Sequence, residues 1–248
     1  MLQHIQFLFS KIGDYKDGKI EIAYTPSNTG AVNKAEYFDV TELEAAAEFA
    51  YNKNKENGVN VYIGAALRDP DTAPFGRSNA NDFYASTCLW VDLDDADAAR
   101  TAKDKYSDLP PSMIVVTGRT PNLRAQCWWH IMHPEVNKDA LNDNLAFICA
   151  ALNGDRAVVD PARVMRLGGS IAWPKKEGRV PELTEIIIPN NNTKVVMLDH
   201  FKSYFPNAAP PLLTATKAQA FGKVGRNAIT NTINIPALLD QSRNEGQW

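Results

Sequence analysis

The chain has 248 residues, 44% of them hydrophobic, and a net charge of −3. This content is sufficient for the core of one large domain and excludes a mainly disordered chain. The three cysteines lack Cys-x-x-Cys spacing, which argues against a disulfide framework or a cysteine-based zinc site. The sequence has no signal-peptide pattern and no run near the ~18 apolar residues of a membrane span, so we expect a protein of the cytoplasm with no membrane partner.

The first third of the chain is predicted to alternate strands and helices. Residues 19–24 alternate like a half-buried strand, and a Pro-Ser-Asn-Thr-Gly turn follows. Thr41 and Glu44 form a capping-box pattern that predicts the start of a helix, and its apolar spacing continues to an Asn-Gly stop at 57–58. Residues 60–67 read as the next strand.

The rest of the pattern predicts an α+β domain. An apolar run at 87–91 reads as a buried strand. Further helices are predicted at 96–106 and 137–152, and further strands at 113–117, 125–132, 182–188 and 194–198.

The domain is predicted to cover residues 1–205. Residues 206–225 are rich in Pro, Ala and Thr and read as a linker. Residues 226–248 begin a polar helical segment that stops without a core of its own. We therefore expect the chain to be the N-terminal part of a longer protein.

Two carboxylates follow the strand at 87–91. Successive side chains on a strand alternate faces, so Asp92 and Asp94 share one face with Trp90. Carboxylates on one face repel each other, and Mg²⁺ or Mn²⁺ relieves that repulsion. The pattern indicates a metal site. A solvated acidic turn is the open alternative, because further aspartates follow directly.

Metal-dependent phosphoryl transfer usually requires a third acid. Asp160 also ends an apolar run and is the favoured candidate. Its competitor, Asp155, follows an Asn-Gly pair, where aspartate commonly serves local hydrogen bonding.

A basic segment follows at 161–180. Arg163 and Arg166 are three residues apart, which predicts two guanidinium groups on one side of a helical turn, suited to phosphate. The adjacent Gly-Gly-Ser at 168–170 would let backbone amides approach a phosphate, although a plain tight turn also explains it. A solvated basic loop is the alternative for the whole segment.

A polar strand face is predicted at 124–131. If this segment is extended, Arg124 and Gln126 share a face with Trp128. Such a face can bind a triphosphate and a base, with Trp128 or Trp90 as stacking platforms. Burial of both tryptophans in the core is the favoured alternative.

In this order, the motifs resemble the archaeo-eukaryotic primase superfamily, specifically the RepB-type primase-polymerase domains of plasmids and phages, over about residues 60–200. The first motif, a strand ending in Asp-x-Asp, stands at 91–94. The second, typically Ser-x-His, falls on Arg-Ala-Gln at 124–126, and the third is Asp160. The downstream Arg-Leu-Pro-Gly-Thr-x-Asn-x-Pro segment with trailing lysines appears at 166–176, where Gly and Ala replace the usual Pro and Asn.

The resemblance implies an α+β fold with an RRM-like catalytic sheet and an N-terminal α/β subdomain. It implies a DNA primase or primase-polymerase that makes primers from nucleoside triphosphates on single-stranded DNA, for replication of a phage, plasmid or integrated element. A helicase domain, fused or associated C-terminally, is a further implied partner. Two Mg²⁺ or Mn²⁺ ions would be held by the catalytic residues Asp92, Asp94 and Asp160. The implied nucleotide-binding residues are Arg124, Gln126, Arg166, Lys175 and Ser170, and the implied nucleic-acid-binding residues are Arg163, Lys176 and Arg179.

Two other functions fit part of the pattern. One is a non-catalytic module of a replication helicase that binds nucleotide or single-stranded DNA. The other is a metal-dependent nuclease, which usually needs a glutamate on an upstream neighbouring strand, and residues 60–67 contain none.

Overall fold

The computed structural model describes residues 1–26, 31–74, 76–189, 194–206 and 208. Within these ranges the helices are α1 (Leu2–Phe9), α2 (Leu43–Lys55), α3 (Ala96–Lys105), α4 (Lys138–Leu152) and α5 (Leu198–Phe201). The strands are β1 (Lys19–Pro26), β2 (Lys34–Asp39), β3 (Val59–Gly64), β4 (Leu67–Arg68), β5 (Phe83–Leu93), β6 (Met113–Gly118), β7 (Arg124–Glu135), β8 (Val164–Arg166), β9 (Ile171–Ala172), β10 (Glu182–Leu183) and β11 (Glu185–Ile187).

An antiparallel sheet of nine strands organises the domain. Its order is β11-β6-β7-β5-β4-β1-β3-β8, with β2 paired to the other side of β1. Strands β9 and β10 form a separate pair. Helices α3 and α4 pack against β5 and β7, whereas α2 packs against α1, β1 and β3. The mixed α+β architecture is therefore confirmed, with an N-terminal α/β part and a central sheet.

Tryptophans on β5 and β7 lie in the core. Trp90, Trp128 and Trp129 are all buried, and the indole N–H of Trp90 donates to the carbonyl of Val158 at 3.0 Å. Each indole removes roughly 150–250 Å² from water, which corresponds to about 4–6 kcal/mol of transfer free energy. Trp90 and Trp128 are thus core residues and not stacking platforms for a base.

Several predicted elements are confirmed with small changes of boundary. They are the strands at 19–24, 87–91, 113–117 and 125–132 and the helices at 41–57, 96–106 and 137–152. The strand predicted at 60–67 divides into β3 and β4, and that at 182–188 divides into β10 and β11.

Some local predictions are wrong. The Thr41 capping box does not form: α2 begins after Glu42, and the Glu42 carboxylate accepts the Asp39 N–H at 2.9 Å. Residues 194–198 contribute only a single bridge, between Val196 and Ile131. Apart from Pro206 and Ala208, the predicted linker at 206–225 and helical segment at 226–248 lie outside the described residues, as does most of the turn after residue 26.

A buried ion cluster ties the N-terminal strands to the chain that precedes β8. Glu21 on β1 accepts from Arg68 at 2.8 Å and from Arg77 at 2.6 Å. The two arginines then donate to the carbonyls of residues 161–163, at 2.8 to 3.2 Å. Burial acts to raise the pKa of Glu21, but the charges of Arg68 and Arg77 bring that pKa below its usual value. The cluster therefore stays ionised and fixes the backbone that leads into β8.

Candidate active site

A cavity of about 290 Å³ opens where the end of β5 faces β7, β8 and the segment 172–180. Two carboxylates and six basic side chains line it, so it is suited to a polyanion held beside an acidic pair. The charged lining residues are Asp92, Asp94, Arg124, Arg163, Arg166, Lys175, Lys176 and Arg179.

Asp92 lies at the floor of this cavity, opposite Gln126 in the ladder between β5 and β7. Within the described part of the chain its carboxylate makes no hydrogen bond or ion pair. Burial, followed by the charges of Asp94 and Asp155, raises the pKa of Asp92 to about 7. An acidic group with no partner, next to a second carboxylate, has the chemistry of a cation ligand.

Asp94 is ion-paired with the segment that covers the cavity. Its Oδ2 accepts from Lys176 Nζ at 3.1 Å, and its two oxygens lie 3.0 and 3.1 Å from Arg179 Nη2. Burial acts to raise the pKa of Asp94, but the charges of Arg179 and Lys176 lower it overall. Asp94 is therefore an anion at neutral pH, whereas the raised pKa of Asp92 favours protonation of its carboxylate.

Asp160 does not lie in this cavity, contrary to the prediction. It lines a neighbouring cavity of about 420 Å³ with Arg77 and Arg163, and its Oδ1 accepts the Ala162 N–H at 2.9 Å. Among the described residues, no three His, Cys, Asp or Glu side chains are grouped so that they could hold a metal ion. The predicted cluster of Asp92, Asp94 and Asp160 is thus not assembled. The cause is a local turn that uses the Asp160 carboxylate for its own backbone.

Asp155 has the closer connection to the acidic pair. Its backbone N–H donates to the Asp92 carbonyl at 2.8 Å, and its charge contributes to the raised pKa of Asp92. Its carboxylate also accepts the Ala157 N–H at 2.9 Å, as expected for the turn position. Sequence reasoning ranked Asp155 below Asp160 because this pairing with β5 spans more than 60 residues and leaves no local pattern.

Arg124 lines the cavity, but two of its hydrogen bonds are to the loop that precedes it. It donates to the carbonyls of Thr120 and Asn122 at 2.7 and 3.0 Å and to Glu182 at 3.1 Å, while its Nε lies 3.9 Å from Asp94. Gly118 leaves room for it, because a Cβ at that position would displace the guanidinium group. Arg124 thus braces the loop between β6 and β7 and presents one edge to Asp94.

Gln126 connects β7 to β8. Oriented so that both amide atoms are satisfied, it donates to the Arg166 carbonyl at 3.2 Å and accepts the Arg166 N–H at 3.1 Å. Arg166 is thereby fixed at the cavity, where its guanidinium group bonds to Asn60 and lies 4.6 Å from the centre of the Tyr62 ring. Neither Asn60 nor Tyr62 had a signal in the sequence, since both stand in an ordinary apolar strand pattern.

Arg163 and Arg166 are not on a helical turn. Residues 164–166 are extended as β8, paired with β3, so the predicted spacing argument is wrong even though both arginines line the cavity. Arg163 also borders the neighbouring cavity, and its Nε is buried without a partner among the described residues. Lys175 lies with its Nζ 5.6 Å from the centre of the Tyr62 ring.

Ser170 is buried away from the cavity. Its hydroxyl donates to the Leu167 carbonyl at 2.6 Å, and its N–H donates to the Thr184 hydroxyl at 2.9 Å. The Gly-Gly-Ser sequence thus forms a tight turn, and the structure does not bring Ser170 to the site. His130 on β7 also lies away from the cavity: its ring stacks on Phe7, and its Nε2 is hydrogen-bonded to the Phe7 carbonyl at 2.8 Å.

Comparison with known proteins identifies the fold. No protein-family model and no curated protein sequence matches the chain. The AEP domain of the cyanophage S-2L primase-polymerase is similar with a TM-score of 0.54 and 19% identity, over 77% of this chain and 90% of that one. The chain has a primase-polymerase fold. The resemblance drawn from the sequence motifs is confirmed at this level.

Two structures of the primase RepB′ support the same fold. One has a TM-score of 0.54 and 17% identity, and the match covers 84% of this chain and 61% of that one. The other, the catalytic domain of RepB′ in complex with initiator DNA, has a TM-score of 0.51 and 16% identity, over 84% of this chain and 92% of that one.

The helices of the described residues include none that is both long and apolar enough to cross a membrane.

Proposed function

We propose that this domain is a template-directed nucleotidyltransferase, a DNA primase or primase-polymerase that makes primers on single-stranded DNA from nucleoside triphosphates. The observation that supports it is the cavity in which Asp92 and Asp94 lie among six basic side chains, on a fold shared with primase domains. A triphosphate needs many cationic partners, and its transfer needs carboxylates that can hold a divalent cation. Replication of a phage, plasmid or integrated element, with an associated helicase, is the biological setting of this proposal.

The carboxylates fit Mg²⁺ or Mn²⁺. Asp92 has no partner among the described residues, and a cation would offset the burial and the carboxylate repulsion that raise its pKa. Asp92 and Asp94 would hold the ion together with the phosphates of the substrate, and Asp155 adds negative charge near Asp92. When bound, such ions supply charge neutralisation at the attacking hydroxyl and at the leaving pyrophosphate. Occupation by two ions is part of this proposal.

The basic side chains would bind and orient the triphosphate. Arg166 is fixed by Asn60 and by the amide of Gln126, so it can present a guanidinium group without losing much conformational freedom. Arg163 and Lys175 line the same cavity. Gln126 is in this view a positioning residue, because its amide atoms engage the Arg166 backbone.

A primer-synthesis assay tests the proposal. Wild-type protein is incubated with single-stranded DNA, labelled ribonucleoside or deoxynucleoside triphosphates and either Mg²⁺ or Mn²⁺. We expect short oligomers from the wild type and a loss of at least about 10³-fold in Asp92→Asn, as is common when a transition-state charge partner is removed. Circular dichroism of the variant serves as the folding control. Wild-type protein that is folded, binds nucleotide and makes no product in any mixture would contradict the proposal.

A non-catalytic nucleotide-binding module is the second candidate. It is supported by the ion pairs that already engage Asp94 and by the absence of a three-carboxylate group among the described residues. Nucleotide affinity that is unchanged by EDTA, together with the absence of synthesis, would favour this function.

A further inference from the structure

The segment 174–180 places two cations on a carboxylate that the proposed chemistry needs. Lys176 and Arg179 together make contacts of 3.0 to 3.1 Å with both oxygens of Asp94. A carboxylate offers about four acceptor positions, and these contacts use three of them. A divalent cation at Asp94 would also be repelled by an ammonium and a guanidinium group at hydrogen-bonding distance.

The Lys176 and Arg179 side chains can move more easily than that of Arg124, which lines the same cavity. Their segment lies between β9 and β10 and forms a turn, with Gly178 at φ +79°. The Lys176 side chain is 51% exposed and that of Arg179 is 24% exposed, whereas that of Arg124 is 5% exposed. Lys176 and Arg179 can therefore leave Asp94 without disturbing a packed strand.

We propose that Lys176 and Arg179 exchange partners during substrate binding: they pair with Asp94 in the cation-free protein, and a divalent cation displaces them onto the phosphates of the incoming triphosphate. This inference rests on the proposed function. It differs from the sequence-based expectation, in which both residues contact nucleic acid. The structure instead places them in the cavity, on an acid 82 and 85 residues earlier in the chain.

Charge balance explains why the exchange is favourable. A cation that takes over Asp94 leaves two positive side chains without an anion in a partly buried cavity, and a triphosphate supplies that anion. The triphosphate thus pairs with the basic side chains that the cation displaces, and the cation pairs with the Asp94 carboxylate that those side chains leave. By linkage, the cation and the triphosphate must raise each other's affinity by the same factor, and a typical coupling lies between about 5-fold and 150-fold.

Calorimetric titration of Mn²⁺, with and without a non-hydrolysable nucleoside triphosphate, measures this coupling in the intact chain. The variants are Lys176→Gln and Arg179→Gln, each alone and then combined. Arg119→Gln is the matched control, because it removes one positive charge from a side chain that pairs with Glu185 and does not line the cavity. Thermal unfolding establishes that each variant is folded. If the double variant does not fold, the Mn²⁺ affinities of the two single variants test the proposal.

We expect Mn²⁺ alone to bind about 10-fold more tightly to the Arg179→Gln and Lys176→Gln variants than to the wild type, and the enhancement by triphosphate to fall towards 1 in the double variant. Arg119→Gln should change Mn²⁺ affinity less than about 2-fold and keep the enhancement, because it removes only a screened charge.

Equal Mn²⁺ affinities in the control and in the two variants would overturn the exchange, as would an undiminished enhancement in the double variant. If such a result accompanies primer synthesis by the wild type, only this inference fails. If the coupling is found and depends on Lys176 and Arg179 while the wild type synthesises no primer, the exchange stands and the nucleotidyltransferase proposal fails.

Discussion

Strands β5 and β7 carry Asp92 and Gln126 on paired backbone, whereas the segment 174–180 carries its basic side chains on a turn. On the strands, packing of buried tryptophans fixes the acid where its charge is unfavourable. On the turn, Lys176 and Arg179 are held at Asp94 by ion pairs and not by packing. The comparison shows that one cavity combines a fixed carboxylate, whose charged form is unfavourable, with basic side chains that can change partner when a ligand binds.

Breaking the buried ion cluster beneath the cavity should have the largest effect on stability. Arg68→Met leaves Glu21 buried with one fewer partner and releases the carbonyls of Pro161 and Arg163. Removing one member of a buried pair typically costs about 3–5 kcal/mol. Urea unfolding measures the change. A loss below 1 kcal/mol would show that this part of the molecule is not held by the cluster.

Replacement of Asp92 on β5 should increase stability, in contrast to Arg68→Met. A raised pKa means that the native state disfavours the carboxylate, so Asp92 lowers stability once the pH exceeds its unfolded pKa of 3.8, and fully so above about 7. Asp92→Asn should therefore stabilise the metal-free protein at pH 8 by about 1–3 kcal/mol, with the gain shrinking as the pH falls from 7 towards 4. Thermal unfolding at pH 8 and pH 4 tests this, and a destabilised variant at pH 8 would contradict it.

The same pKa sets the pH dependence of cation binding. Protons compete with the cation for Asp92, so Mn²⁺ affinity should rise by about 5-fold between pH 6 and pH 7 and level off above the pKa of about 7. The Asp92→Asn variant should lack this rise. A pH-independent affinity in the wild type would show that Asp92 is not a ligand.

The smallest effect is expected at the outer rim of the sheet. Arg119 pairs with Glu185 at 2.5 Å, but the two side chains are 36% and 33% exposed. Solvent screening limits such a pair to about 0–1 kcal/mol, so Arg119→Ala should change the free energy of unfolding by less than 1 kcal/mol. Parallel urea titrations with Arg68→Met provide the contrast, and equal losses would remove the distinction between buried and rim pairs.

The sequence predicted the central sheet well because its strands and helices have strong periodic patterns. It could place Asp92 and Asp94 on one face of β5 from alternation alone. It could not place Asp160, because a local turn and not strand spacing decides where that carboxylate points. It also missed α1 and β2, and it read the extended Arg163–Arg166 stretch as a helical turn. Three-residue spacing carries meaning only where the backbone is already known to be helical.

Contacts between distant segments were beyond local patterns. Asp94 pairs with Lys176 and Arg179, which lie more than 80 residues later in the chain. Gln126 likewise forms hydrogen bonds with the backbone of Arg166, 40 residues later. The resemblance to primase domains predicted which segments contribute to the site. It did not predict which side chains within them meet.

Primer synthesis by Asp92→Asn, Asp155→Asn and Asp160→Asn, assayed side by side, tests most directly whether the acidic pair in the basic cavity is the catalytic centre. We predict that Asp92→Asn loses at least about 10³-fold, as expected for a group that supports transition-state charge. Asp155→Asn should lose much less, because the Asp155 carboxylate caps a local turn and does not line the cavity. Asp160→Asn, whose carboxylate lies in the other cavity, should keep activity within a few-fold of the wild type. Full activity in Asp92→Asn, or a loss in Asp160→Asn as severe as that predicted for Asp92→Asn, would contradict this assignment.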